Sequence, residues 1–368
     1  MPLSRNHATP LKVTLMTSSD GLTYKAAGVD IDAGDRAVAL MNAAVAKTKR
    51  PEVVSSLGGF SGLFDMSRYK NMRRPLLATS TDGVGTKLAI AQALDKHDTV
   101  GRDLVAMVVD DLVVCGAEPL YMTDYIACGK LVPEKIATIV AGIAAGCSEA
   151  GCSLIGGETA EHPGVMAPDN YDLAGAATGV VDGESVLGSD RVQLGDIVIA
   201  MASSGLHSNG FSLVRKVLLE MAGWELDRHV DQLGRTLGAE LLEPTRIYTK
   251  PCLDLISDAE VHALVHITGG GLPGNLPRVL PNDLKVTVDR GTWTPQPIFG
   301  LIGESGGVTE RELEKAFNMG IGMVALVPPK AEAAALSSLA KSQCRAWVAG
   351  RVEQREDRSV ELVGAYRS

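Results

Sequence analysis

Five acids, one lysine and one histidine stand where they could do chemistry, two of the acids in glycine-rich turns. The segment Thr79-Ser80-Thr81-Asp82-Gly83-Val84-Gly85-Thr86-Lys87 runs from an apolar stretch into an acid, two glycines, a hydroxyl and a lysine. Glycines let backbone N–H groups approach a phosphate, and a carboxylate there suits Mg²⁺, a hard ion that prefers oxygen. The competing reading is a tight turn whose Asp bonds its own backbone. The segment lacks the G-x-x-x-x-G-K-[ST] spacing of a Walker A loop. A second acid follows two glycines at Gly156-Gly157-Glu158, and the two junctions are expected to converge on one metal–phosphate site. Asp103, Asp110 and Asp111 lie in an otherwise apolar run. Asp103 and Asp110 are seven apart and share a helical face, where a charge is costly unless it is paired or bound to a metal. In Ser203-Ser204-Gly205-Leu206-His207-Ser208-Asn209-Gly210, small polar residues precede a helix whose free N–H groups suit an anion, and His207 is either a proton-exchanging or ligand-contacting residue or a structural one. Gly269-x-Gly271-x-x-Gly274 matches a dinucleotide fingerprint in letters, but Pro273 sits where the helix should open, so that reading is rejected. His262 and His266, in an apolar stretch, read as packed side chains.

These residues need elements to hold them. Apolar runs predict strands at 75–80 (short and buried), 153–155, 173–181, 196–202, 284–288, 323–327 and 346–352. Helices are expected at 100–114, 133–150, 211–222 and 330–341. Pro133 suits a first helical turn and Gly151 a C-terminal cap. Strands mixed with helices in both halves indicate an α/β or α+β chain. At 368 residues the chain exceeds what one core usually fills, so two domains are expected. The polar stretch near 182–190 sets the division: a loose tail over 1–23, a first domain over 24–183 and a second over 184–368.

Composition narrows the function. Hydrophobic residues make up 45% of the chain and charged residues 21%, enough for a sizeable core. The net charge of −9 argues against nucleic-acid binding, because such a surface repels a phosphate backbone, though a small phosphorylated ligand can still be held by local cations and N–H groups. The six cysteines form no C-x-x-C pair and read as reduced, small apolar residues. No apolar run is long enough to span a membrane and no signal-peptide pattern opens the chain, so a cytoplasmic protein is expected.

Read in order, the segments resemble the aminoimidazole ribonucleotide synthetase (phosphoribosylformylglycinamidine cyclo-ligase) family. The resemblance is carried by the run from Tyr24 to Gly34, by Arg50-Pro51-Glu52-Val53, Leu57-Gly58-Gly59-Phe60 and Thr81 to Lys87, and by Asp111-Leu112-Val113-Val114 and Gly116-Ala117-Glu118-Pro119. It continues through Gly156 to Glu161, Ser203 to Gly210, Pro244-Thr245-Arg246-Ile247-Tyr248 and Thr268 to Gly271. It implies two α/β domains, with N-terminal domains pairing into a barrel-like core of a homodimer. It also implies a C–N-forming ligase that closes the imidazole ring of formylglycinamidine ribonucleotide, with ATP and Mg²⁺ as cofactors. By resemblance, Asp82, Asp111 and Glu158 are the metal ligands. Asp30, Asp82, Gly83, Gly85, Thr86, Lys87, Asp111, Gly156, Gly157 and Glu158 would hold the nucleotide, with Lys87 on its phosphates. Lys25, Asp82 and His207 are the catalytic candidates, Lys25 and Asp30 lying in a segment able to fold over the site. Ser204, Gly205, His207, Asn209, Thr268, Gly269, Gly270 and Gly271 would shape the substrate side. Members often carry Asn where this chain has Asp110, which leaves the ligand open between Asp110 and Asp111. The alternatives are another ATP-using kinase or synthetase of the same superfamily, or a nucleotide-binding regulator without turnover. A selenide-activating enzyme is disfavoured, since no Cys precedes Cys115.

Overall fold

The computed structural model describes residues 23–55 and 59–367; most of the expected N-terminal tail and part of the Leu57–Phe60 motif lie outside them. The first half is built on four strands, β1 (Pro75–Gly83), β2 (Glu118–Cys128), β3 (Ser153–Glu161) and β4 (Tyr171–Asp182), in the order β1-β4-β2-β3. β2 and β3 are parallel and the other pairs antiparallel. A parallel pair needs a crossover, which α4 (Pro133–Ala150) supplies. Pro133 opens this helix and Gly151 closes it in the left-handed conformation at φ 81°. Helices α1 (Ile31–Ala46), α2 (Leu88–Leu94) and α3 (Val100–Val113) complete this half.

One face of the sheet packs on α3, and the other is partly open. The alternation shows in β4 and in β1, where Leu77 stays 66% exposed. β1 is therefore an edge strand with one open face, longer and less buried than its apolar letters predicted.

The second half holds a six-stranded sheet, ordered β12-β9-β11-β5-β10-β8. Its strands are β5 (Ile197–Ala202), β8 (Ala263–His266), β9 (Leu284–Asp289), β10 (Ile321–Val327), β11 (Ala346–Gln354) and β12 (Val360–Val363); β6 (His229–Val230) and β7 (Arg235–Thr236) form a separate hairpin. β5 and β10 are covered on both faces, which explains their unbroken apolar runs. On one face Ile197, Ile199 and Met201 pack with Tyr248, Leu255 and Leu339. On the other, Val198 and Ala200 pack with Leu276 and Trp293. The helices here are α5 (Phe211–Val214), α6 (Leu237–Leu241), α7 (Thr249–Asp258), α8 (Gly271–Asn275), α9 (Pro297–Gly306), α10 (Glu310–Ala316) and α11 (Glu332–Lys341). The helix expected over 211–222 begins as α5 and continues as a π-helical stretch, Arg215–Met221.

The halves meet along α3, whose acids face the second half. Asp103 is fully buried and accepts from Lys87 Nζ at 2.8 Å, from Thr245 N at 2.8 Å and from Thr245 Oγ1 at 2.7 Å. One helical stripe on, Asp110 accepts from Tyr248 N at 3.0 Å and from Thr249 Oγ1 at 2.9 Å, capping the start of α7. Lys87 Nζ also donates to the carbonyls of His207 and Glu243, at 3.2 and 2.6 Å. Removing one partner of a buried pair strands the other charge in a dry site, so Asp103→Ala is expected to lower the unfolding free energy by roughly 3–5 kcal/mol in a denaturant titration. Combining it with Lys87→Met should recover part of that loss. If the single variant is within about 1 kcal/mol of wild type, the seam is not desolvated as described.

Candidate active site

Asp82 closes β1, half-buried, its Oδ1 accepting from Gly83 N at 2.7 Å. Burial pushes its carboxyl up, the Gly83 N–H pulls it down and the charge of Asp111 pushes it up again. Asp111 stands beside it on the open flank of α3, 44% exposed, and bonds His266 Nδ1 at 2.9 Å. His266, at the end of β8, is buried with no partner on Nε2 among the described residues. Burial alone would lower its pKa; the bond to Asp111 and the charges of Asp110, Asp111 and Asp82 outweigh this, and the net shift is upward. The sequence had placed His266 among packed residues. It is packed, and it also turns one nitrogen to the acid pair. Asp110 is sealed under Tyr248 and Thr249, so of the two neighbouring acids Asp111 is the one open to a ligand.

Glu158 does not join this pair. It lies on β3, exposed, at the opposite edge of the sheet from Asp82. Three strand intervals separate the two edges, about 14 Å. Among the described residues no three metal-ligating side chains form a cluster. The expected convergence of both glycine–acid junctions on one ion is therefore corrected within a single chain: the order of the strands holds them apart. Glu158 instead lines a cavity of about 860 Å³ with Thr81, Asp124, Gly156 and Gly157, roofed by Ala37 and Met41 of α1. Asp124 was not foreseen. It sits in register between Gly175 and Gly157, and a Cβ on Gly157 would lie 1.8 Å from its Oδ1, so a larger residue there would displace the carboxylate. Burial pushes the Asp124 carboxyl up to about 7.

Lys25 and Asp30 pair at 2.6 Å at the head of α1. Asp30 caps the helix by accepting from Ala33 N at 3.2 Å, and its own N–H donates to Glu161 at 2.8 Å. Asp30 thus ties the roof of the cavity to the end of β3, with Lys25 paired to it.

Lys87 was expected on nucleotide phosphates, but its ammonium is fully enclosed by Asp103 and two carbonyls. With its hydrogens already used, it braces the Gly83–Gly85–Thr86 turn from beneath. Thr86 Oγ1 lies 3.2 Å from Ser212 Oγ, which ties that turn to the second half.

His207 is buried at φ 64°, Nε2 accepting from Ser204 N at 3.2 Å and Nδ1 unpartnered among the described residues. Burial holds its pKa well below the usual value, and the nearby positive charges of His266, Lys87 and Arg246 add to this. A neutral ring brings no positive charge, but its unpartnered Nδ1 remains a hydrogen-bonding group. Ser204 Oγ donates to Pro244 O at 2.6 Å, and Gly205 O accepts from Ser203 Oγ and Asn318. Asn209 reaches Met107 of α3 and faces Gly269, so the two glycine-rich turns of the second half meet. Asn275, unnoticed in the sequence, is buried and its Nδ2 donates to the carbonyls of Thr268, Gly269 and Gly271. Gly270 and Gly271 have φ of 98° and 59°, and a Cβ on Gly271 would lie 1.9 Å from Glu314 O.

The Asp124 shift makes a pH prediction. A carboxyl raised in the folded state adds stability below its unfolded pKa of about 4 and loses it as pH rises toward 7. Relative to Asp124→Asn, wild type should lose on the order of 1–4 kcal/mol between pH 4 and pH 8. A pH-independent difference between the two would refute the desolvation of this group.

Family models for the AIR synthase related protein match on both sides of the seam, the N-terminal domain over residues 71–181 and the C-terminal domain over 193–363. A phosphoribosylformylglycinamidine cyclo-ligase of Brevibacillus brevis is 52% identical over 92% of this chain and 97% of its own. One of Anaeromyxobacter dehalogenans is 53% identical over 90% and 96%. Two solved structures share the fold: a thiamine-monophosphate kinase of Stenotrophomonas maltophilia (TM-score 0.64, 19% identity, 89% and 97% of the two chains) and the hydrogenase maturation protein HypE in complex with ATP (TM-score 0.64, 17% identity, 91% and 93%). With half its residues identical to these relatives over nearly their whole length, the chain belongs to the phosphoribosylformylglycinamidine cyclo-ligase family.

Proposed function

We propose that this protein is the ATP-dependent ligase that closes formylglycinamidine ribonucleotide to 5-aminoimidazole ribonucleotide, giving ADP and phosphate, in purine biosynthesis in the cytoplasm. The observation that carries this is the 52% identity over 97% of a relative with that name. The formyl amide oxygen is a poor leaving group. Transfer of the γ-phosphoryl group to it releases ADP and leaves an imidate phosphate. The internal amidine nitrogen then attacks the former formyl carbon, the C–O bond breaks, inorganic phosphate leaves and the nitrogen loses a proton. Both reacting groups belong to one bound molecule, so correct folding of the substrate gives an effective concentration on the order of 10⁵ M or more.

The cavity under α1 suits the nucleotide: it is large, mostly apolar, and walled by the Gly156–Gly157 turn. Thr81 lines it, and Asp82 follows on β1 with its side chain turned to the α3 side of the sheet, near the strand end that borders the cavity. Mg²⁺ is usually bound by one or two carboxylates, with phosphate and water completing its shell. Asp82 and Asp111 fit that requirement without Glu158, and the ion would neutralise charge on the transferring group. Asp111 is steadied by His266, and the Asn275-braced turn at 268–271 offers backbone N–H groups to the substrate. His207, held neutral, orders the 203–210 loop through Ser204. Glu158 and the Lys25–Asp30 pair hold the rim of the nucleotide cavity. The open sheet face, with Leu77 and Tyr125 exposed, is where a second copy would complete a barrel-like homodimer core.

The measurement is Mg²⁺- and ATP-dependent formation of the aromatic amine product, read by diazo coupling. Wild type should turn over, while Asp82→Asn should lose about 100-fold or more in kcat without unfolding. ATP binding with no product from wild type would replace ring closure by the kinase or regulatory reading. For the assembly, Leu77→Arg should convert a dimer to a monomer in light scattering; a monomeric wild type would overturn the paired-sheet reading.

A further inference from the structure

A second polar groove, of about 510 Å³, opens between the halves and is lined by Arg102, Glu149, Ser204, Glu243, Arg246 and Lys250, among others. It lies apart from the acid pair. Arg102 and Asp111 are nine positions apart on α3, which turns them to opposite faces of the helix and separates them by about 13.5 Å along its axis. The charges in the groove do not cancel. Arg102, Arg246 and Lys250 outnumber Glu149 and Glu243 in the lining; Glu149 pairs with Arg102, and Glu243 with Arg235, which lies outside the lining and is shared with Glu240. Lys250 Nζ donates to a neutral carbonyl, that of Ser148, at 3.1 Å. Arg246 is partly buried, and no carboxylate pairs with it among the described residues. Its positive charge reaches the buried His207 and Tyr248 rings; it adds to the lowering that burial causes at His207 and opposes the rise that burial causes at Tyr248. Arg102 Nε is likewise buried with no partner among the described residues.

A partly desolvated cation without a counter-ion is costly, and the cost is relieved when an anion enters. In a chain of net charge −9, such a groove is a local reversal of sign. The planar guanidinium of Arg246 suits two phosphate oxygens at once, and the ammonium of Lys250 adds a mobile point charge at the rim. We propose that this groove binds a phosphate dianion, at a site separate from the Asp82–Asp111 pair. Arg246 lies in the 243–249 segment, which Asp103, Asp110 and Lys87 clamp from below, so the groove is built on buried polar contacts between the halves. The inference does not depend on ring closure, because its test measures no turnover.

The test is calorimetric titration of the nucleotide-free, full-length protein at constant ionic strength set with chloride. Inorganic phosphate is the ligand in one arm and ribose 5-phosphate in the other. Wild type should bind saturably. Arg246→Gln and the surface change Lys250→Gln should each weaken binding roughly fivefold or more, while Asp82→Asn stays within about twofold. Equal affinity in both arms identifies free phosphate as the ligand, and tighter binding of the sugar phosphate identifies a phosphorylated sugar or nucleotide. The proposal is overturned if wild type shows no saturable binding below about 20 mM. It is equally overturned if Asp82→Asn abolishes binding while the groove variants keep it, because the phosphate would then sit at the acid pair.

Discussion

The buried ion pair between Lys87 and Asp103 is the contact on which the rest of the structure turns. A fully enclosed ammonium requires that its hydrogens be used, and here they go to a carboxylate of α3 and to two carbonyls from the second half. Asp103 in turn takes the N–H and hydroxyl of Thr245. One charge pair thereby sets the distance between the turn after β1, the helix α3, the 203–210 loop and the 243–249 segment. Such pairs add little net stability compared with apolar packing, but they penalise every arrangement that leaves one member alone. The seam therefore specifies how the halves sit, and the proposed site is assembled from what they bring together.

On one flank of α3 this arrangement places Asp111 against Asp82 and His266. On the other it leaves Arg102, Arg246 and Lys250 around an uncancelled positive groove. The division follows from helix geometry: acids seven apart point into the seam, and the residues beside them project to either side. The helix positions ligand-facing groups without contributing many of them, which suits phosphoryl chemistry, where placement and charge neutralisation carry most of the work.

A thiamine-monophosphate kinase and a hydrogenase maturation protein share this fold, so the architecture alone does not choose a reaction. What distinguishes this chain is the set of side chains and turns at the seam, together with an identity to cyclo-ligases that extends through both halves. The glycines matter here through what they admit. Gly157 makes room for the Asp124 carboxylate and Gly271 for the carbonyl of Glu314, and each is a position where one added carbon would collide with an oxygen.

The sequence by itself determined the elements whose signals are local. The apolar run and its Pro133 and Gly151 boundaries defined α4, and the unbroken apolar letters of β5 and β10 marked strands covered on both faces. Residue type and spacing also marked the glycine-rich turns, Asp82 and the acids of α3 as candidates for chemistry, and the family resemblance singled out Asp111 among those acids. Tertiary structure decided which of those residues meet. Strand order put Glu158 about three strands away from Asp82, which no spacing along the chain reveals. Burial enclosed the Lys87 ammonium between Asp103 and two carbonyls, and lowered the pKa of His207. His266 and Asn275 carried no local mark, because an apolar neighbourhood looks the same whether a polar side chain is merely packed or holds a functional acid or a turn in place. Those outcomes depend on contacts between residues more than a hundred positions apart, and only the folded chain supplies them.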